Sequence, residues 1–417
     1  MGYTFAEKVL ARRAGLEHVV PGQIVTVRPD RLLTHDNTAD ISTKFRRIGV
    51  ERVADPSMNV IVLDHVAPAA NETYATNHKI IREFVAEQGI EAFYDVGEGI
   101  CHQVLAEKGH AWPGGLIVGS DSHTPTAGAF GAFAAGIGRT EAAAVMATGE
   151  IWLRVPETLR VVVHGTLPPR VSTKDLILHV IGTLGADGAN YVSVEFAGEA
   201  IEALSVAGRM VLTNMAAEMG AKNAVVEPDA TTLEWLAGRV ERDFEALCAD
   251  PDAEYAQVIE FDAGEIEPQV ARPHTVDNVV PVGEVQGTRI DQALIGTCTN
   301  GRLEDLRAAA EILRGRQVAE GVRLLVLPAS REVLLGAIEE GLVRDLVAAG
   351  ATLLNPGCGP CLGAHEGCMA PAEVTLSTAN RNFKGRMGSK EAFIYLGSPA
   401  TVAASALTGL ITDPRDV

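Results

Sequence analysis

Six cysteines occur in the chain, and three of them stand where a thiolate could be used. Cys298 follows the apolar run 293–296, and Cys358 and Cys361 follow the run 351–354 by way of Asn355-Pro356-Gly357. Three thiolates on loops beyond sheet strands can hold a metal centre. A [4Fe–4S] cluster takes four cysteines when every iron is ligated; with three, one iron stays open to bind substrate as a Lewis acid. Zinc is an alternative at this point, since CxxC pairs are common in zinc sites. A structural zinc site wants a fourth ligand, for which His365 is the nearby candidate. Cys358-Gly359-Pro360-Cys361 also has the spacing of a thiol-exchange motif, although it lies far along the chain and follows Asn-Pro-Gly. Cys101, Cys248 and Cys368 lack such surroundings and read as small hydrophobes.

Histidines next to carboxylates form a second group: Asp64-His65, His102 after Cys101, and Asp121-Ser122-His123. A carboxylate beside an imidazole fixes its tautomer and tunes its pKa toward neutrality, which suits proton transfer. One such pair is as readily a capped loop; three of them after strand-like runs favour an acid–base site. His35, His78, His110 and His179 carry no such context, and His179 lies in a helix-like stretch as a structural residue. Arg381 and Arg386, in Asn380-Arg381-Asn382-Phe383-Lys384-Gly385-Arg386, form a third group. Two forked guanidiniums beside a glycine can grip a di- or tricarboxylate, with surface ion pairing as the alternative. The glycines between 128 and 138 do not keep the G-x-G-x-x-G register and read as close backbone packing, with no dinucleotide site.

These residues need elements to position them. Apolar runs at 60–63, 116–119, 293–296, 351–354 and 374–377 each stop in a cluster of small and polar residues, often with a helical pattern after it. Strands alternating with helices mean an α/β fold, and ligands in such folds sit beyond the carboxyl ends of the strands. One shared site assembled from several loops is therefore expected. Residues 303–313 read as a helix ending before Gly315, residues 80–88 as one stopped by Gly89, and Ser172 to Asp175 as a capping box. The expected division is an α/β domain over 1–165 with the His/Asp pairs, a middle domain over 166–275, and a last domain over 276–417 with the cysteines and arginines. The acidic stretch 227–272, ending in Arg272-Pro273, is expected to be peripheral and to lead into that last domain.

Length and charge narrow the function. At 417 residues two or three domains are expected. Lys and Arg number 35 against 54 Asp and Glu, a formal net charge of −19, which argues against a nucleic-acid surface or a polybasic membrane anchor. A cluster-free RNA-binding role is disfavoured on the same ground. Six cysteines are too few to staple so long a chain, which suits a reducing compartment. No signal peptide and no apolar stretch of roughly 18 residues is read, so a soluble, cytoplasmic protein is expected.

With these residues collected, the sequence resembles the aconitase superfamily, most closely its two-subunit members, the large subunits of isopropylmalate dehydratase and prokaryotic homoaconitase. The resemblance runs over nearly the whole chain and is carried by Gly119-Ser120-Asp121-Ser122-His123-Thr124, Gly296-Thr297-Cys298-Thr299-Asn300, Gly357-Cys358-Gly359-Pro360-Cys361 and Asn380-Arg381-Asn382-Phe383. It implies a three-domain α/β/α architecture with the iron–sulfur site at the domain junction. Cys298, Cys358 and Cys361 would ligate one [4Fe–4S] cluster whose remaining iron binds substrate. Asp64 with His65, and Asp121 with His102, would assist protonation of a departing hydroxyl. His123 would stand near the cluster, partnered by Glu195. Ser122, Asn380, Arg381 and Arg386 would bind substrate. Thr126 stands where mitochondrial-type aconitases have Asn. The residues after Arg386 are too few for the swivelling fourth domain, so the resemblance implies a small-subunit partner that carries it. The implied reaction is dehydration and rehydration of a hydroxy di- or tricarboxylate: isopropylmalate in leucine biosynthesis, or homocitrate and homoaconitate in lysine biosynthesis.

Overall fold

All five apolar runs fold as strands, and their carboxyl ends carry the candidate residues. The computed structural model describes residues 2–417. Its first sheet holds five parallel strands in the spatial order Phe93–Tyr94, Asn59–Val62, Arg31–Thr34, Leu116–Gly119, Phe133–Gly136. Asn59–Val62 and Leu116–Gly119 are buried at every position, as strands covered on both faces must be. The chain adds strands to one side of Arg31–Thr34 and then to the other, which opens a crevice between the ends of Arg31–Thr34 and Leu116–Gly119.

The last sheet repeats this winding. Gln292–Ile295 lies between Arg323–Val326 and Val374–Ser377, all three parallel, and Thr352–Leu353 extends one edge. The other edge is closed by Phe393–Leu396 and by the antiparallel pair Gln269–Ala271 and Val279–Pro281. Between the two sheets stands a four-stranded parallel sheet in the order Asn223–Val226, Ser193–Ala197, Thr158–His164, Gln257–Asp262. An antiparallel ribbon pairs Ile24–Val27 with Ile151–Arg154.

The expected domain boundaries shift by a strand at each end. Thr158–His164 belongs to the middle sheet and Gln269–Ala271 to the last, so 165 and 275 both fall late. Arg272-Pro273 is no linker, because Arg272 N–H donates to the Asn278 carbonyl at 2.8 Å inside the turn of that antiparallel pair. The acidic stretch before it holds the helix Ala230–Leu236 and the strand Gln257–Asp262, and Asp250 ties it back to Lys8 at 2.6 Å. The expected helices form as Leu303–Leu313 and as Glu72–Gln88, which Gly89 ends at φ 69°. The Ser172–Asp175 capping box closes. A Cβ on Gly128 would collide with the Ala224 carbonyl, the close packing expected of that glycine run.

The sheets share apolar cores. Val161, Val194 and Phe196 of the middle sheet join Leu294, Leu325 and Leu327 of the last in one buried cluster. The first and last sheets touch through backbone: Ile100 N–H donates to the Ala329 carbonyl at 2.8 Å, and Cys358 N–H to the Asp64 carbonyl at 2.9 Å. No helix among the described residues is long and apolar enough to cross a membrane.

Candidate active site at the junction of the sheets

The loop after Asn59–Val62 carries Asp64 and His65, and a single carboxylate fixes its shape. Asp36 accepts from the backbone N–H groups of Asp64 (3.0 Å), His65 (2.8 Å) and Val66 (3.3 Å), and its Oδ1 pairs with His78 Nε2 at 2.8 Å. Burial works to raise the Asp36 pKa, yet the His78 bond and the nearby imidazoles hold it far below the usual range. Asp64 is itself buried. One oxygen meets His65 Nδ1 at 2.7 Å, and the other accepts from Cys101 N–H at 2.7 Å, where the helix Cys101–Glu107 begins. His65 Nε2 points on to Asp121 Oδ2 at 3.4 Å, and Asp121 Oδ1 pairs with His102 Nε2 at 2.7 Å.

This chain of acids and imidazoles settles its charges. Burial pulls the His65 pKa down, but Asp64, the Cys358 sulfur and Asp121 more than offset that and raise it well above an ordinary imidazole. Asp121 is held well below the carboxylate range because bonds from His102, His123 and His65 overcome burial. His35 stacks on His65 with ring centroids 3.7 Å apart, and burial with the His65 charge lowers it to about 4. The surroundings thus favour the imidazolium at His65 and the neutral ring at His35.

The other wall comes from the last sheet. Cys298 follows Gln292–Ile295, Cys358 and Cys361 follow Thr352–Leu353, and all three are buried free thiols. They line one cavity with His65, His102, Asp121 and His123. Asn380, at the end of Val374–Ser377, donates from Nδ2 to the Cys298 sulfur at 3.2 Å, and its Oδ1 lies 3.9 Å from the Cys361 sulfur. Arg386 Nη2 reaches the Cys361 sulfur at 3.5 Å, while its buried Nε has no partner among the described residues. Burial pushes the Cys298 thiol up to about 11 and the Cys358 thiol well above its ordinary value. These are not the low-pKa thiolates that exchange chemistry needs.

One expected pairing is corrected. His123 Nε2 meets Glu218 Oε1 at 2.7 Å, and Glu195 is elsewhere. Glu195 sits mid-strand in Ser193–Ala197, where its carboxylate accepts from Phe5 N–H at 2.9 Å and from the Tyr255 hydroxyl at 3.1 Å. A residue inside a strand cannot reach the loop ends where the site lies. Glu218 can, because the helix Val206–Met215 delivers the turn Ala216–Met219 to the cavity rim, and there it also takes Arg381 Nε at 2.8 Å. A lone carboxylate in the apolar run 215–219 was the available signal in the sequence. Arg381 is therefore tied to Glu218 through Nε, whereas Ser122 is exposed beside the cavity.

Sequence reasoning also passed over His35, Asp36, His78 and Asn214. Asn214 is a buried hub: its amide donates to Thr126 Oγ1 at 2.9 Å, and its oxygen accepts from Asn380 at 3.2 Å. Thr126 donates in turn to the His123 carbonyl at 2.6 Å, a structural role for the position that departs from the resemblance. His35, Asp36, Asp64 and His65 come close enough for one metal ion, with ligand atoms within 4.8 Å. The hydrogen bonds just given already fill the Asp36 carboxylate.

The family model described as aconitase family (aconitate hydratase) matches residues 7–290 and 283–409. A probable 3-isopropylmalate dehydratase large subunit of Methanothermobacter thermautotrophicus is 55% identical over 415 residues, 99% of either chain. A probable methanogen homoaconitase large subunit of Methanosarcina mazei is 57% identical over 389 residues, 93% of this chain and 99% of its own. A 3-isopropylmalate dehydratase large subunit of Moorella thermoacetica is 49% identical over 419 residues, covering both chains in full. With the family model spanning nearly the whole chain and the motifs joined in one cavity, this protein belongs to the aconitase family.

Proposed function

We propose that the chain is the large subunit of a [4Fe–4S] hydro-lyase that interconverts 2-isopropylmalate and 3-isopropylmalate by dehydration and rehydration. The observation that carries this reading is the convergence of three free, buried thiols on an acid–base network, supported by relatives of equal length that bear that name. The residues fit the cluster. The three free thiols line one cavity, and the orphaned Nε of Arg386 beside Cys361 suits an anionic group.

Cys298, Cys358 and Cys361 would hold the cluster, which supplies a Lewis-acid iron able to polarise a carbon–oxygen bond. The rest of the reaction falls to the chain's own side chains. His65, kept protonated by Asp64 and Asp121, presents an acidic N–H toward the oxygen that departs. Asp121 and His102 hold the next proton at Nε2, so the acid can be restored. Arg386 offers charge near the cysteines, and Arg381, bound to Glu218 through Nε, would use its terminal nitrogens for a substrate carboxylate. Removal of the carbon-bound proton falls to a small subunit, the partner implied where relatives are named large subunits. Free thiols at the centre suit a reducing, cytoplasmic setting.

A second reading keeps the chemistry and changes the substrate to homocitrate and homoaconitate. It is favoured by the Methanosarcina mazei relative. Anaerobic reconstitution with iron and sulfide should give a broad brown absorption band and, with the small subunit added, turnover of isopropylmalate. Turnover of homoaconitate in preference moves the protein to the second reading, and turnover by this chain alone overturns the two-subunit reading.

A further inference from the structure

A guanidinium lies buried beneath the Cys298 loop with no carboxylate in hydrogen-bond contact, Asp305 being the foremost of the carboxylates that act on its charge from farther off. Arg302 is 5% exposed and immediately precedes the helix Leu303–Leu313, its backbone N–H donating to Asp305 Oδ2 at 2.9 Å. The side chain turns back under the loop. Nη2 donates to the Cys298 carbonyl and Nη1 to the Thr299 carbonyl, each at 2.7 Å, and Nε donates to Gln103 Oε1 at 3.1 Å. Nη1 also faces the Ala207 carbonyl at 3.5 Å. One side chain therefore touches elements of all three sheets' domains, and every partner is a neutral oxygen.

Two features need explaining here. A buried cation whose hydrogen-bond partners are all neutral is costly, and Asp305, Glu304 and Glu107 offset part of that cost from beyond contact distance, burial still lowering the Arg302 pKa. The loop it holds is also strained: Thr297, just before Cys298, has φ 72°, a left-handed conformation that β-branched residues avoid. The Thr378 hydroxyl braces one end of that loop by accepting from Gly296 N–H at 2.9 Å. Arg302 braces the other. Gln103 directly follows His102, so the same fork joins the cysteine loop to the helix that presents an acid–base histidine.

We propose that Arg302 is a positioning residue for the cluster: its fork fixes the strained Cys298 loop, and its charge, held directly behind Cys298, is an internal counter-charge of the thiolate-bound centre. This inference rests on the cluster reading above. A positive charge held behind Cys298 favours an added electron on the centre and opposes oxidative iron loss. A guanidinium that merely filled space would affect neither.

The test compares the parent with R302Q and R302K after anaerobic reconstitution with iron and sulfide. The readouts are iron per chain, the midpoint of a dithionite titration followed by electron paramagnetic resonance, and the rate of iron loss in air. R302Q, which removes the charge, is expected to shift the midpoint to more negative potential and to lose iron several-fold faster. R302K, which keeps the charge without the fork, is expected to hold the parent's midpoint while losing iron faster. An unchanged midpoint in R302Q overturns the counter-charge, and iron loss in R302K equal to the parent's overturns the clamp. Should R302Q not accumulate as folded protein, R302K decides alone: a midpoint displaced from the parent's, or iron loss at the parent's rate, overturns the proposal. A parent that takes up no cluster overturns the functional reading instead, so the two failures are distinguishable.

Discussion

The first and last sheets bring opposite surfaces to the junction. Beyond the first, charge is matched within the chain: Asp36, Asp64 and Asp121 each meet N–H groups or imidazoles at 2.7 to 3.4 Å. Beyond the last, three thiols stay free, two of them with raised pKa values, and neither the half-buried Arg386 nor the buried Arg302 has a carboxylate in hydrogen-bond contact with its side chain. The same winding thus yields one wall complete in itself and another that reads as half of a site. The first can be preorganised for proton transfer before anything binds; the second has cations and free thiols that suit an anionic centre.

The largest break in this contrast is expected from Cys358→Ser. It should abolish cluster loading, read as loss of the brown absorption band and of iron, and should leave no measurable turnover; iron content equal to the parent's would remove Cys358 from the ligand set. His102→Ala should spare the cluster and damage the complete wall alone, lowering kcat by about 10²- to 10⁴-fold with iron per chain unchanged. Asp121→Asn sharpens the contrast through pH. The carboxylate helps to raise the His65 pKa, so losing it lets the imidazole deprotonate sooner, and the alkaline limb of kcat should move to lower pH; an unmoved limb would show that another group sets it.

Glu195→Gln, outside both walls, should change turnover least. Burial raises the Glu195 pKa from 4.5 to about 7. A carboxyl raised in the folded state contributes stability that is whole below pH 4.5 and lost as pH climbs through about 7, a change of a few kcal/mol at most. The substitution should leave kcat near the parent's, because Glu195 lies outside the cavity, and flatten the decline of Tm across that window. A large loss of turnover would restore Glu195 to the active site.

Much of this site was legible in the chain. Cys298, Cys358, Cys361, Asp64, His65, His102, Asp121 and His123 lie in or beside short motifs after apolar runs, and the runs fold as parallel strands. Local order along the chain is enough for that, because a parallel strand ends where its apolar run stops, and whatever follows stands at the sheet's mouth. Asp36 and Asn214 escaped notice because their work is done on groups distant in sequence: His78 and Val66 for one, Thr126 and Asn380 for the other.

The sequence by itself determined the α/β class, the strand ends and the kinds of chemistry available at them, since residue type and period act locally. Only the tertiary structure decided that Glu218 and not Glu195 partners His123, that His35 stacks on His65, and that Arg302 reaches Cys298, Gln103 and Ala207 together. Such pairings depend on how three separately wound sheets dock. A side chain a few ångströms from its partner in space carries no trace of that in spacing along the chain.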